Sequence, residues 1–154
     1  YKYNATYEIY ESMVEDSAFM KEVYDNYCKI KHIEALIMVE MTKRQIIPAI
    51  SAAVAKLAKG ADDIKEIGGN AAVEIEVIKN MSGLNVQLYK KVEQLEKVMA
   101  KCEKLGSNAE KAKFYCDYIT PAMEEVRKVS DELERISPEN AWPIPTYAEL
   151  LFNV

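Results

Sequence analysis

The chain has 154 residues, of which 49% are hydrophobic and 29% charged, and its net charge is −5. This size and composition are typical of a single folded domain with a sizeable core and exclude a disordered chain. The acidic balance, without any basic stripe, excludes nucleic acid as an expected partner. No uncharged apolar run approaches the ~18 residues of a membrane span, and no signal peptide is visible.

The three cysteines, Cys28, Cys102 and Cys116, are an odd number and form no C-x-x-C pair. This usage fits free thiols in a reducing compartment better than a disulfide framework. We therefore expect a cytoplasmic protein. The sequence opens on Tyr1 instead of Met, so we expect the natural polypeptide to be longer.

An N-terminal segment, residues 1–16, is rich in tyrosine. Asn4 is a candidate N-cap of a short amphipathic helix. Its aromatic side chains favour docking on the rest of this chain over binding a missing partner.

Residues 17–59 form the central helix, or a pair of helices that break near Lys29–Lys31. Their apolar positions recur at steps of three and four, the helical period. These positions are Ile33, Leu36, Ile37, Met41, Ile47, Ile50, Val54 and Leu57. Since further apolar residues fill much of the opposite face, we predict a helix enclosed by its neighbours. Pro48 predicts a bend, and Gly60 predicts the end of the helix after Lys59.

Residues 70–105 and 107–136 are predicted to form a hairpin of two helices. The loop 60–69 precedes it, with Asn70 as the first N-cap. The first apolar seam consists of Val77, Met81, Leu84, Leu88, Val92, Leu95, Met99 and Cys102. The second consists of Ala112, Tyr115, Ile119, Ala122, Val126, Val129, Leu133 and Ile136. Such spacing is typical of helical bundles.

The turn of this hairpin has a clear signature. Gly106 ends one helix, and Ser107 with Glu110 forms a capping box that begins the next. Two prominent breaks in regularity are Gly83, which costs on the order of 1 kcal/mol against Ala, and Pro121, which predicts a kink like that at Pro48.

The tail, residues 137–154, differs from the helices before it in composition. Pro143 and Pro145 enforce an extended path, and Thr146 with Glu149 forms a second capping box. Its large apolar side chains are Trp142, Ile144, Tyr147, Leu150, Leu151 and Phe152. We expect the tail to fold back over the bundle.

The predicted fold is all-α: one domain, residues 1–154, built as an antiparallel bundle of three long helices. Short helical segments are expected at both ends, with the C-terminal tail folded back on the bundle. No strand and no internal repeat is predicted.

The search for chemistry starts with His32, the only histidine. A ferritin-like di-iron site needs two Glu-x-x-His pairs, so a single histidine excludes it. His32 and Glu34 do not face one side of a helix, which argues against a metal site there. Acids on an enclosed helix need partners, and Glu34 and Glu40 have cations close by. These cations are Lys31, Lys43 and Arg44, and structural ion pairs are favoured over catalytic carboxylates.

Cys28 lies four residues before His32, one helical turn away, so a contact between the thiol and the imidazole is possible. Packing is favoured over a nucleophile in such a pair, and a thiol- or metal-dependent enzyme stays a remote alternative. No phosphate-binding loop, G-x-S-x-G or kinase signature is present. We predict no catalytic, cofactor-binding or metal-binding residue in this chain.

Three stretches resemble the C-terminal region of bacterial type III glutamine synthetases. The first holds Ile33-Glu34-Ala35, Met38, Met41 and Ile47-Pro48-Ala49. The second holds Met123, Arg127, Asp131 and Leu133-Glu134. The third and most specific is Trp142-Pro143-x-Pro145-Thr146-Tyr147-x-Glu149-Leu150-Leu151-Phe152. Together they span the chain from about Tyr24 to Phe152.

This resemblance implies that the chain follows the catalytic domain of an enzyme that joins ammonia to glutamate. The parent enzyme would use ATP and Mg²⁺ or Mn²⁺, bound by regions that have no counterpart here. The resemblance implies partners as well: the catalytic domain of the same chain and neighbouring subunits of a homo-oligomer. The role expected for the helical domain is structural, in subunit assembly.

One alternative from another class stays open: a stand-alone helical bundle that serves as an interaction or sensor module. The reading frame upstream of Tyr1 discriminates between the two. A start codon within a few dozen residues, with no catalytic domain encoded before it, would favour the stand-alone module.

Overall fold

The computed structural model describes residues 18–145 and Leu151. The helix predicted within residues 1–16 and the capping box of Thr146 and Glu149 lie outside the described residues. Within them the fold is the predicted all-α bundle, without strands. Its elements in chain order are α1 (Ala18–Met41), a first π turn (Thr42–Ile46), α2 (Ile47–Glu66), α3 (Ala72–Cys102), α4 (Asn108–Phe114), a second π turn (Tyr115–Ile119), α5 (Thr120–Ile136) and a 3-10 turn (Glu139–Ala141).

The central helix is one continuous rod that runs through α1, the first π turn and α2. It does not break near Lys29–Lys31. Its two halves have different neighbours, because α1 packs mainly on α4 and α2 packs on α3. Helix α3 also packs along α5, so it lies at the centre of the bundle. This central position was predicted for the rod, and α3 takes it instead.

Each π turn comes just before a proline. Pro48 and Pro121 are the second residues of the helices that follow these turns. A proline has no N–H and its ring crowds the carbonyl four residues back. The turn before it widens by one residue, so the N–H of Ile47 donates to the carbonyl of Thr42, five residues back. The irregularity expected at both prolines therefore takes the form of a π turn.

The prediction that Gly60 ends the central helix is wrong. Helix α2 runs through Gly60 to Glu66, because Ala61 is buried in the bundle and packing outweighs the weak helix propensity of glycine. The actual end uses Gly68, whose φ is 80°, and Gly69. The N–H of Gly69 donates to the Ile64 carbonyl, five residues back, at 2.8 Å, and the N–H of Gly68 donates to the Lys65 carbonyl, three residues back, at 2.9 Å. This is a Schellman ending, for which glycine is the favoured residue.

The hairpin of α3 and α4–α5 largely follows the sequence. Helix α3 begins at Ala72, two residues later than predicted, and the Asn70 side chain still accepts the Ala72 N–H at 3.0 Å. The Ser107 hydroxyl accepts the Glu110 N–H, and the Glu110 carboxylate accepts the Ser107 N–H, so the capping box is confirmed.

Both predicted seams of the hairpin lie in the core. Six residues of the first seam are buried, and Val77 and Leu84 are partly buried against them. The second seam is buried at six positions as well, with Ala122 packed beside it. Its last residue, Ile136, is exposed.

The prediction that the central helix is enclosed all round is wrong for α1. Four of its large apolar side chains, Ile30, Ile33, Leu36 and Ile37, are 48–57% exposed. Ala35, on the other side of the helix, is fully buried in the core. Helix α1 is therefore covered on one face only.

The tail folds back as far as the structure describes it. Trp142 is buried in the core, and Ile144 packs against the same cluster. Leu151, in contrast, is 71% exposed, so the expectation that it is covered is wrong.

Candidate functional site

Cys28 and His32 have different hydrogen-bond partners. His32 Nδ1 and Tyr115 Oη are 2.9 Å apart and share a hydrogen bond, whereas the Cys28 thiol donates to the Asn108 carbonyl at 3.7 Å. Burial raises the pKa of the Cys28 thiol. A nucleophilic cysteine needs the opposite, a lowered pKa that favours the thiolate. The arrangement is that of packed polar groups.

Tyr115 is the partner of His32 that sequence reasoning missed. It belongs to the second π turn and is only 5% exposed. Burial raises the pKa of its hydroxyl to about 12, with the neighbouring thiols Cys102 and Cys28 contributing to the shift. Its place on the second seam predicted an apolar role, and no local signal indicated that its hydroxyl would meet His32.

The acids of the central helix are paired as expected. Lys31 Nζ lies 2.7 Å from Glu34, and Arg44 lies 2.9 Å from Glu40. Lys43 turns outward from the rod instead and binds both carboxylate oxygens of Glu96 on α3, at 2.6 and 2.7 Å. These contacts are ion pairs between partly exposed groups, which contribute little to stability. Only the Lys43–Glu96 pair joins two helices.

A groove lies between α1, the first π turn, α5 and the tail. Its volume is about 510 Å³. Its walls combine large apolar side chains with charged ones. The lining residues are Glu34, Ile37, Met38, Met41, Thr42, Ile46, Met123, Val126, Arg127, Ser130, Asp131, Glu134, Trp142, Ile144 and Pro145. We call it the α1–α5 groove.

The α1–α5 groove has an apolar floor and a charged rim. Thr42, Ile46, Val126 and Trp142 are buried at its base. Arg127 and Asp131 at the rim are 3.9 Å apart, one helical turn from each other on α5. Such a lining is suited to packing against another apolar surface and lacks a set of convergent donors for a small polar substrate.

Trp142 brings one unsatisfied group to this groove. Its indole Nε1 is buried and has no hydrogen-bond acceptor in the described structure. A buried donor without an acceptor costs about 1–3 kcal/mol. A group that offered an acceptor to this nitrogen would remove that cost.

Two further findings concern chemistry and location. Among residues 18–145 and Leu151, no three or more His, Cys, Asp or Glu side chains are placed to hold a metal ion together. None of the helices in this part of the chain combines the length and apolarity needed to cross a membrane.

Comparison with known proteins gives two relatives. A glutamine synthetase from Butyrivibrio fibrisolvens is 31% identical over 132 residues, which are 84% of this chain and 19% of that enzyme. A type-3 glutamine synthetase from Dictyostelium discoideum is 29% identical over an alignment of 154 positions, which covers 92% of this chain and 20% of that enzyme. The chain is a relative of glutamine synthetases.

The resemblance inferred from the sequence is therefore confirmed at the level of the enzyme class. The chain spans about a fifth of the length of these glutamine synthetases. No family model matches it. No solved structure matches it either.

The three stretches that resemble type III glutamine synthetases come together in space. Each of them supplies residues to the α1–α5 groove. The shared lining residues are Glu34, Met38, Met41, Met123, Arg127, Asp131, Glu134, Trp142 and Pro145. The first stretch ends at Ala49, 74 residues before the second begins at Met123, so only the fold shows that they form one surface.

Proposed function

We propose that this chain is a non-catalytic helical domain of a glutamine synthetase and has a structural role in subunit assembly. The observation that carries the proposal is the match of nearly the whole chain to about a fifth of two glutamine synthetases. The remaining four-fifths of such an enzyme would hold the nucleotide, glutamate and metal sites. The position of this domain at the C-terminal end of the parent is part of the proposal.

The contacts of the candidate residues support a structural role. His32 is held by Tyr115, and the Cys28 thiol has a raised pKa. The residues that carry the resemblance line an apolar groove, which suits packing. The parent would ligate ammonia to glutamate with ATP and Mg²⁺ or Mn²⁺ in the cytoplasm, and its bacterial origin stays an expectation.

The first test measures catalysis by the 154-residue chain. With ATP, Mg²⁺ or Mn²⁺, glutamate and ammonia, we expect no glutamine and no phosphate release above a blank. The intact Butyrivibrio fibrisolvens enzyme is the positive control in the same assay. Phosphate release that depends on both glutamate and ammonia would contradict the proposal.

The second test measures assembly. The segment of the Butyrivibrio fibrisolvens enzyme that aligns with this chain is deleted in one variant and replaced by this chain in another. We expect the deletion to reduce the number of subunits per assembly, given by the light-scattering mass divided by the mass of one subunit, and the replacement to restore it. A deletion variant that keeps its full number of subunits would contradict the assembly role.

The stand-alone module remains the second candidate. The observation in its favour is the α1–α5 groove, whose apolar floor could accept a partner helix. The discriminating measurement is the gene itself, read upstream of Tyr1.

A further inference from the structure

Helix α1 carries a second apolar seam, on the side that faces away from the bundle. It consists of Phe19, Val23, Asn26, Ile30, Ile33 and Ile37. The steps between these residues are four, three, four, three and four, the heptad spacing by which two helices pair along their length. We call it the outward seam.

The outward seam is exposed along its whole length. Its five apolar side chains are 41–72% exposed, and Asn26 is exposed as well. Residues two positions away on a helix point to the opposite side, about 200° around the axis. Cys28 and Ala35 hold such positions, and they pack into the core. Its last residue, Ile37, also lines the α1–α5 groove, and the rest of the seam is a face that the described bundle leaves uncovered.

A row of large apolar residues, interrupted here by Asn26 alone, is unusual on the surface of a single soluble domain and marks an interaction surface. Scattered exposed apolar residues need no such explanation. A row at heptad spacing over about five turns of helix does, because its geometry fits another helix.

The polar residues beside the seam indicate what that helix is. Lys29 directly precedes the seam residue Ile30, and Glu34 directly follows Ile33. In a parallel coiled coil, residues at these two flanking positions, five apart, lie opposite each other on the two chains. Two identical chains in parallel would therefore form two Lys29–Glu34 pairs, one on each side of the seam.

Asn26 supports the same pairing. In a parallel pair it faces Asn26 of the second copy, and an amide can both donate to and accept from another amide. In an antiparallel pair, alternate seam positions face each other, so Asn26 would lie opposite an apolar residue of the second copy. An amide placed there would lose its hydrogen bonds, which favours the parallel pairing.

The flanking charges are free to exchange partners. Lys29 now pairs with Asp25 on the same helix at 2.5 Å, and Glu34 pairs with Lys31. Pairs of this kind between exposed groups contribute only tenths of a kcal/mol. They present little obstacle to contacts with a second chain.

We propose that the outward seam pairs with the same seam of a second copy of this chain, as a parallel two-stranded coiled coil. The inference names a surface and a partner for the assembly role. It rests on the proposed function only for its place in a larger enzyme, since pairing of the 154-residue chain is measured without that enzyme.

The first experiment measures the mass of the 154-residue chain by light scattering and sedimentation over a dilution series. We expect a mass of two chains that falls to one on dilution. The double variant Ile30→Glu, Ile33→Glu is expected to be monomeric at every concentration, with the helical circular dichroism of the original chain. The matched control is Val86→Glu, which changes an equally exposed apolar residue on α3 and should leave the dimer intact.

The outcomes are distinct. A monomeric original chain overturns the proposal, whatever else covers the seam, and so does a mass other than two chains. A double variant that stays dimeric assigns the interface to another surface and overturns it too. A dimer that forms through the seam, together with an enzyme whose assembly is unchanged by deletion of this domain, contradicts the proposed function alone.

The second experiment tests the parallel orientation by exchanging charges. Lys29→Glu and Glu34→Lys should each raise the Kd of the dimer by about tenfold, because each brings like charges together twice. The variant with both changes should return to within about threefold of the original Kd. A double variant as weak as the single ones would overturn the parallel arrangement.

Discussion

The seam of α3 and the outward seam of α1 have the same spacing and opposite surroundings. Along α3, six of eight seam residues are buried inside the bundle. Along α1, all six positions of the outward seam are exposed. The heptad pattern thus indicates that a helix has a partner on that face. It does not indicate whether the partner belongs to the same bundle.

The difference explains why α1 has apolar residues on both of its faces. A helix that packs on its own bundle with one face and on a second partner with the other is apolar on both sides. From sequence alone such a helix is hard to distinguish from one enclosed in a single core. Which face of α1 is buried depends on which side chains pack beside Ala35 and which stay exposed to solvent. Both are set by the fold.

The largest expected effect contrasts the two seams directly. Leu95→Ala on α3 removes a fully buried side chain, and it should reduce the free energy of unfolding by about 2–5 kcal/mol. Ile33→Ala on α1 removes a half-exposed one, and it should change the stability of the monomer by less than about 1 kcal/mol. Urea unfolding, at protein concentrations too low for dimers to form, measures both changes in the free energy of unfolding. Equal losses would show that α1 is enclosed after all.

The second prediction concerns the covered face of α1, through Tyr115. Its pKa is about 12 in the folded chain and near 10 when unfolded, so the unfolded state loses its proton first. Stability from this group is complete below pH 10 and falls as the pH rises towards 12, by up to about 2.7 kcal/mol.

The difference in the free energy of unfolding between Tyr115→Phe and the original protein should therefore depend on pH. Near pH 7 the variant lacks the hydrogen bond to His32 and should be less stable by about 1 kcal/mol. Near pH 11 to 12 the difference should shrink or reverse, because the variant has no hydroxyl to ionise. Chemical denaturation at both pH values measures the two free energies. A constant difference would contradict the buried position of this hydroxyl.

The third prediction concerns the hairpin turn, whose structure depends on neither seam. Ser107→Ala removes the acceptor for the Glu110 N–H and should cost about 1 kcal/mol. Ser107→Asp supplies another acceptor and serves as the matched control. The thermal midpoints of the two variants measure the effect, and an unchanged midpoint for Ser107→Ala would count against the cap.

The smallest expected effect is that of a substitution on the exposed face of α3, which is compared with substitutions in the outward seam of α1. A Cβ added at Gly83 on α3 meets no atom within 4 Å, so Gly83→Ala should stabilise the chain by about 0.5–1 kcal/mol through helix propensity alone. It should leave the number of chains per particle in solution unchanged, in contrast to substitutions in the outward seam. Denaturant midpoints and light scattering measure the two quantities. A loss of stability would indicate that this face is covered.

Local features were predictable to different degrees. The capping box at Ser107 and both hairpin seams follow from residues within a few turns of each other, and the structure has them as predicted. The end of α2 was misjudged, because Gly60 stops a helix only when packing beyond it is weak. Ala61 supplies that packing from another part of the fold.

The site was harder to predict than the fold. The resemblance of three separate stretches could be read from the sequence, but their meeting at the α1–α5 groove could not. The bond between His32 and Tyr115 joins residues 83 positions apart. Such contacts are set by helix packing. Heptad spacing predicts on which face of a helix a residue lies, but it does not predict which residue of another helix contacts it.

The first π turn has a consequence for the phase of the whole rod. One extra residue rotates everything after it by about 100° relative to an uninterrupted α-helix. Without that rotation, Ala49 and Lys56 would follow Ala35 and Thr42 towards the bundle. With it, Ile50 becomes fully buried and Leu57 packs against the core. The outward seam ends within α1, before the π turn, since its next position, Glu40, is charged and exposed. A single inserted residue thus turns the large apolar side chains of α2, such as Ile50 and Leu57, towards their own bundle.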